Sequence, residues 1–269
     1  MPSIKQAIRS VAARARQLSE HRRYNIYTSD HIFDVRVNRH KFLMSFSDYP
    51  IQGPIVERIE GRREPDTVAI IEAIAKPGMQ ILEIGGCYGY FTLIMSSCAG
   101  PNGRVVTIEG TPRNYDILKK NIEINQVTNV DPFNVFVTSQ DSEVRFAPDE
   151  RSPYAAIDRL TQPGESLVPE EGSHAVPTVT VSGFLKEESY HPDVIFMDIE
   201  GFETEVIEDL SRSYLSTHRP TFVFEVHPTF YEPDRGEAFI VDSLQSLGYE
   251  CRRVGGNMIA HPVSAPSID

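Results

Sequence analysis

Cysteine is scarce: Cys87, Cys98 and Cys251 are the only three in 269 residues. They are too few and too scattered for a disulfide framework or a zinc cluster, which points to a reducing, cytoplasmic setting. Long apolar runs are also missing. None approaches the roughly 20 residues needed to cross a bilayer, and Leu93–Met95 and Val194–Met197 have the lengths of core segments. There is no internal repeat. With 40% hydrophobic and 24% charged residues, neither disorder throughout nor a fibrous architecture fits. Positive charge is in deficit, with 26 Lys and Arg against 38 Asp and Glu, for a net charge of −12. Residues 1–25 hold six basic residues and only Glu20, so the remainder of the chain carries −17. A body this acidic does not draw in a phosphate backbone over long range, and no nucleic-acid partner is expected.

The basic segment Pro2–Leu18 reads as a helix. Ile4, Ile8, Val11, Ala15 and Leu18 recur at spacings of four and three, with Lys5, Arg9, Arg14 and Arg16 on other faces. A helix docked on the body, an element of a homodimer, a membrane-surface arm and an organelle transit peptide all fit that pattern. Phe33, Val35 and Val37, then Phe42, Met44 and Phe46, alternate with polar residues around Asn38-Arg39-His40 and predict a hairpin. Residues 1–60 thus form an extension ahead of a main domain at 61–269.

Residues 64–76 predict a helix. From Met79 onward, predicted strands at Ile81–Ile84, Arg104–Ile108, Phe133–Val137, Val194–Asp198 and Thr221–Val226 interleave with helices. The helices fall at Tyr90–Ser97, Pro112–Ile124, Phe202–Leu210 and Gly236–Leu247. Short apolar strands between amphipathic helices predict an α/β fold, a parallel sheet covered on both faces. Residues 139–192 break the rhythm as a long excursion, with strands expected at Glu143–Ala147 and Val176–Val181.

The most informative stretch is Ile81-Leu82-Glu83-Ile84-Gly85-Gly86-Cys87-Tyr88-Gly89-Tyr90-Phe91-Thr92. A buried strand runs through a glycine bend into a helix, whose first N–H groups are unpaired and available to a ligand. The next strand ends at Ile108-Glu109-Gly110, and Glu109 lies 24 residues after Gly85. That is near the spacing at which an acid grips a ribose diol. Thr111 and Pro112 then read as the cap and first position of the following helix. A nicotinamide dehydrogenase needs G-x-G-x-x-G, and the order here is G-G-x-x-G. Preceded by Glu83, it resembles the first motif of S-adenosylmethionine-dependent methyltransferases.

Two later segments narrow the resemblance: Asp193-Val194-Ile195-Phe196-Met197-Asp198-Ile199-Glu200-Gly201-Phe202-Glu203 and Arg219-Pro220-Thr221-Phe222-Val223-Phe224-Glu225-Val226-His227. With the first motif they resemble the FkbM-type methyltransferases over roughly residues 60–250. Ser182-Gly183 departs from the aspartate common in that family before strand four. The resemblance implies a class I, Rossmann-like fold with a mostly parallel seven-stranded sheet. It also implies S-adenosyl-L-methionine as cofactor and O-methylation of a hydroxyl on a small molecule such as a sugar or polyketide-like compound. Methylation of a macromolecule, or a scaffold role without turnover, are the competing readings.

By position, Glu64, Glu83, Gly85, Gly86, Tyr88, Gly89, Tyr90, Phe91, Glu109, Gly110, Thr111, Thr138, Ser139 and Asp198 are the expected cofactor residues. Thr138 and Ser139 would sit near the adenine; Glu64, in an Arg63-Glu64-Pro65 segment that resembles the family's Glu-Pro ahead of the first motif, would approach the methionine end or serve only as a helix-start acid. Cys87 reads as a small filler. Asp198, Glu200, Glu225 and His227 lie at the carboxyl ends of strands, where open α/β sheets bind ligands. His227 reads as general base with Glu225 orienting it. The same four residues would suit Mg²⁺ or Mn²⁺. Plainer roles are Asp198 on the cofactor's amine, Glu200-Gly201 as the cap of a helix starting at Phe202, and His227 as a turn residue.

Overall fold

The computed structural model describes residues 31–47, 49–139, 142–146, 174–231 and 234–263. The basic segment 1–25, and with it the predicted helix and dimer element, lies outside the described residues.

Strand β1 (Ile32–Val37) and β2 (His40–Ser45) form the predicted antiparallel hairpin, with Val37 opposite His40. Alternation decides its placement. Phe33, Val35, Val37, Phe42 and Met44 are buried in the core on one side of the central sheet, where the hairpin packs against the helices Tyr90–Ala99 and Pro112–Ile124 that cover it. A short helix that the sequence did not suggest, α1 (Pro54–Ile59), precedes α2 (Pro65–Ile74).

The chain then alternates through β3 (Gln80–Ile84), α3 (Tyr90–Ala99), β4 (Arg104–Ile108), α4 (Pro112–Ile124) and β5 (Val130–Phe133). After β6 (Phe136–Val137), β7 (Ser142–Phe146) and β8 (His174–Val179) come α5 (Val181–Glu187), β9 (Val194–Met197) and α6 (Glu203–Arg212). Strand β10 (Thr221–Glu225), α7 (Glu237–Ser246), β11 (Tyr249–Val254) and β12 (Asn257–Pro262) complete the order. The central sheet has seven strands in the order β11-β12-β10-β9-β3-β4-β5. Pairs among β10, β9, β3, β4 and β5 are parallel, and β12 runs antiparallel between β10 and β11. This is the α/β class I methyltransferase fold expected from the sequence.

Neighbouring residues of β3 serve opposite faces. Ile81 joins the core under α2, α3 and α4, while Leu82 joins the core under α5, α6 and α7. The order also reverses at β3: β4 lies to one side, reached through α3, and β9 to the other. A crevice opens at the carboxyl ends of strands where connections diverge in this way.

One expected strand is divided. The apolar run Phe133–Val137 ends its central pairing at Phe133, and Phe136–Val137 pairs instead with β8 in a separate three-stranded sheet. Asn134 makes the break, its side-chain amide donating to the carbonyls of Glu109 (2.8 Å) and Gly110 (3.2 Å). The strands expected inside the excursion occur as β7 and β8, paired with each other.

Candidate active site

A cavity of about 260 Å³ lies along the carboxyl ends of β3, β4, β9 and β10. Its walls include Gly85, Glu109, Gly110, Thr111, Asp198, Glu200, Glu225 and His227 from the expected set, together with Cys87. Val135, Phe136, Val137, Ile199 and Phe202 supply an apolar flank, and Arg58 and Arg63 two cations.

The glycine bend is shaped from behind. Gly85 has φ +95°, and a Cβ there would meet the carbonyl oxygen of Asp198 at 2.1 Å, so only glycine lets β3 and β9 end side by side. Its N–H and that of Gly86 both donate to Ile108. Cys87 then turns into the left-handed region and aims its N–H at Glu109 Oε2 (2.7 Å). The second carboxylate oxygen, Oε1, accepts from the Thr111 N–H (2.7 Å). Glu109 is 7% exposed, and burial pushes its pKa up against these N–H groups and the Thr111 and Asn114 side chains. Glu109 lines the cavity, so a hydroxyl there would share its oxygens with, or replace, the Thr111 and Asn114 side chains. Thr111 holds the N-cap position before Pro112, yet its side chain makes no cap hydrogen bond. The Cys87 thiol is pushed up to about 12, mainly by burial, in keeping with an inert filler.

Several expected cofactor residues stand elsewhere. Glu83 points away from the cavity into the core, 1% exposed, and accepts from the Thr92 hydroxyl. Tyr88, Tyr90 and Phe91 are buried core residues: Tyr88 packs on Phe46 and Tyr49, Tyr90 on Phe42, and Phe91 on Phe196. The helix α3 starts immediately after Gly89 and turns Tyr90 and Phe91 inward, and Tyr88, in the bend before it, packs under the end of the hairpin. Gly86 and Gly89 are pressed against Leu118 of α4 and do not line the cavity. Thr138 and Ser139 do not line it either, because the chain has left for the smaller sheet; the apolar flank is formed by the residues just before them.

Glu83 carries a testable consequence. Burial raises its pKa from 4.5 to about 7, so the folded state holds the proton more tightly than the unfolded chain. Its stability contribution is complete below pH 4.5 and is lost as pH rises through about 7. Glu83→Gln is therefore expected to match the wild type near pH 4.5 and to gain on it by roughly 3 kcal/mol near pH 8. Urea unfolding at both pH values measures the difference; a gap independent of pH would contradict it.

The acidic end is built by the turn after β9. The strand stops at Met197, so Asp198 and Glu200 do not share a strand face as alternation predicts. Glu200 sits at φ +53° and Gly201 at φ +110°, and this turn brings both carboxylates back to one imidazole. His227 Nε2 lies 3.5 Å from Asp198 Oδ1, 3.5 Å from Glu200 Oε2 and 3.8 Å from Glu225 Oε2. The orienting partner is Glu203, whose Oε1 is 3.2 Å from His227 Nδ1, and not Glu225. Glu203 is fully buried and also accepts from the N–H groups of Ile199 (3.3 Å) and Gly201 (3.0 Å). It opens α6, so the helix begins one residue later than expected and Glu200 is not its cap. With Nδ1–H given to Glu203, Nε2 is the nitrogen left facing the cavity. Glu203 stood in the Glu-Gly-x-Glu segment; burial, which spacing does not reveal, sets its role.

Burial alone would lower the His227 pKa, but the Glu203 hydrogen bond and the charges of Glu203, Asp198 and Glu200 outweigh it and raise it. Burial and the neighbouring Glu225 and Glu64 raise Asp198. Glu200 and Glu225 are also raised, first by burial. Each of these groups thus holds a proton more tightly than it would in water, and a cation brought beside them would weaken that hold. Glu64, at φ +44° before α2, ion-pairs with Arg63 and approaches Asp198 and Glu225. Asp198, Glu200 and His227, or Glu64, Asp198 and Glu225, each offer ligand atoms within 4.8 Å of one another.

The sequence model of the methyltransferase FkbM domain matches residues 83–251. Among curated proteins, a protein-L-isoaspartate O-methyltransferase of Methanococcoides burtonii is 35% identical over 103 residues, covering 35% of this chain and 49% of that protein. One from Caenorhabditis elegans is 31% identical over 108 residues, covering 35% and 47%. The chain spans about half the length of the curated relatives it matches. Among solved structures, Aeropyrum pernix fibrillarin with bound S-adenosyl-L-methionine is similar at TM-score 0.43 and 15% identity, covering 87% of this chain and 99% of that one. The precorrin-6y C5,15-methyltransferase of Geobacter metallireducens gives 0.42 and 14%, covering 74% and 87%.

Proposed function

The chain belongs to the FkbM methyltransferase family and is an S-adenosylmethionine-dependent methyltransferase; on that premise we propose that it methylates a hydroxyl oxygen of a small molecule. The observation that carries this reading is His227, with Nδ1 on a buried carboxylate and Nε2 facing the cavity beside Asp198.

The residues present fit the cofactor. Glu109 presents its carboxylate to the cavity, where ribose hydroxyls would take the place of the Thr111 and Asn114 side chains, and Val135, Phe136, Val137 and Phe202 offer an apolar slot for a purine. A Cβ on Gly110 would meet Phe136 at 2.5 Å, so the slot requires glycine there. When bound, S-adenosylmethionine supplies a methyl carbon activated by a cationic sulfonium. The chain's own work is to position, exclude water and take a proton. An alcohol is a poor nucleophile at neutral pH, and His227 Nε2 is the group placed to accept its proton. Its proton affinity, raised in the free protein, falls once positive charge sits beside the same carboxylates.

The carboxylates also bear on the acceptor. An acidic acceptor group such as that of an isoaspartate-bearing protein would meet Asp198, Glu200 and Glu225 at close range, which disfavours it electrostatically. A neutral hydroxyl meets no such penalty. A second reading, in which Mg²⁺ or Mn²⁺ occupies the Asp198–Glu200–His227 group and binds the acceptor oxygen, rests on the clustering of those ligand atoms.

Incubation of a low-molecular-weight metabolite pool with the protein and deuteromethyl-labelled donor tests the proposal. A labelled product resistant to mild base, formed equally with chelator, is the expected result. Label confined to protein, or released by base as from an ester, would overturn it, and loss of product with chelator would favour the metal.

A further inference from the structure

Arg58 of α1 is 7% exposed and lines the cavity. Its guanidinium lies 5.6 Å from the Tyr88 ring centroid, and one terminal nitrogen donates to the Pro54 carbonyl at 3.3 Å. Its Nε is buried without a hydrogen-bond partner, and among the described residues Arg58 forms no ion pair. The neighbouring Glu57 is engaged by Arg62 and Arg63, and Arg63 also holds Glu64. One carbonyl and one aromatic face offset only part of the desolvation cost of a buried guanidinium, and its Nε–H has no acceptor. The planar fork of donors is suited to a carboxylate.

Its place decides which carboxylate. Arg58 acts electrostatically on the Cys87 thiol and the Tyr90 hydroxyl, at the glycine bend and the first turn of α3. His227 belongs to the other flank, among Asp198, Glu200, Glu203 and Glu225. On that acidic flank, Asp198 and Glu64, with carboxylate oxygens within 4.8 Å of each other, offer charge to an ammonium. A zwitterionic amino-acid group therefore finds a cation on one side and anions on the other. Resting on the cofactor seating argued above, we infer that Arg58 holds the carboxylate of the cofactor's methionine tail.

Calorimetry with two nucleosides isolates that contact. S-adenosylhomocysteine carries the amino-acid tail, and 5′-methylthioadenosine shares the nucleoside but lacks the tail. Arg58→Gln is expected to weaken S-adenosylhomocysteine roughly 10- to 100-fold and to leave methylthioadenosine within twofold. Arg58→Lys, which keeps the charge without the fork, should fall between for the first ligand and match wild type for the second. Should the glutamine variant not fold, the lysine variant decides by the same comparison. Equal affinity of wild type and variant for S-adenosylhomocysteine, or equal loss for both nucleosides, would overturn the assignment while leaving the seating intact. If neither nucleoside binds the wild type, the seating fails and Arg58's role with it.

Discussion

Glu109→Ala is expected to raise the KM for S-adenosylmethionine by roughly two orders of magnitude, with kcat changed by less than tenfold. The carboxylate is fixed before any ligand arrives, each oxygen held by one backbone N–H at 2.7 Å. It therefore meets a diol without losing side-chain entropy, and two hydrogen bonds to a charged acceptor are worth roughly 3 kcal/mol or more. The ribose lies away from the reacting atoms, so the loss is of binding shared by ground and transition states. Alanine also orphans the N–H groups of Cys87 and Thr111, and a melting point lower by several degrees accompanies the kinetic change. Steady-state kinetics with varied cofactor reads the effect; an unchanged KM would remove Glu109 from the site.

His227→Ala should lower kcat by roughly 10²- to 10⁴-fold, the usual worth of a positioned base, while the cofactor KM moves only a few-fold. Glu203→Gln supplies the finer test. Turnover requires neutral imidazole, so rate climbs as pH passes the His227 pKa from below. The Glu203 hydrogen bond and charge are the largest influences raising that pKa. Removing the charge lowers it, and the acid limb of the pH–rate profile should move to lower pH. A merely structural Glu203 would reduce rate at every pH and leave the midpoint in place. An acid limb unmoved in Glu203→Gln, with full activity in His227→Ala, would exclude the imidazole as base.

Much of this was legible in the sequence because local physics and tertiary context agree there. Pro112–Ile124 is helical from end to end as its periodicity predicts, and Arg104–Ile108 is a strand with no shift of boundary. Glu109 reached the cavity because a strand end fixes where its next residue points. Legibility failed where a side chain's direction depends on its neighbours. Glu83, Tyr88, Tyr90 and Phe91 flank the glycine bend in sequence, but the hairpin and α4 cover that side and turn them into the core. Asp198 and Glu200 were brought together as expected, though by a left-handed turn and not by strand alternation. Glu203 and Arg58 were missed as site residues for one reason: burial distinguishes a placed charge from a solvated one, and a sequence does not display burial. The divided strand at Asn134 shows the same limit, since a side-chain amide capturing two carbonyls overrode a continuous apolar run.

The most direct measurement is a calorimetric and thermal-shift titration of the intact wild-type protein with S-adenosylhomocysteine and, separately, with NAD. Binding of one S-adenosylhomocysteine per chain is predicted, with a melting point raised by about 5 °C or more at a hundredfold excess over Kd and no response to NAD. Silence with S-adenosylhomocysteine, or heat with NAD alone, would contradict a nucleoside site built on Glu109 and the glycine bend.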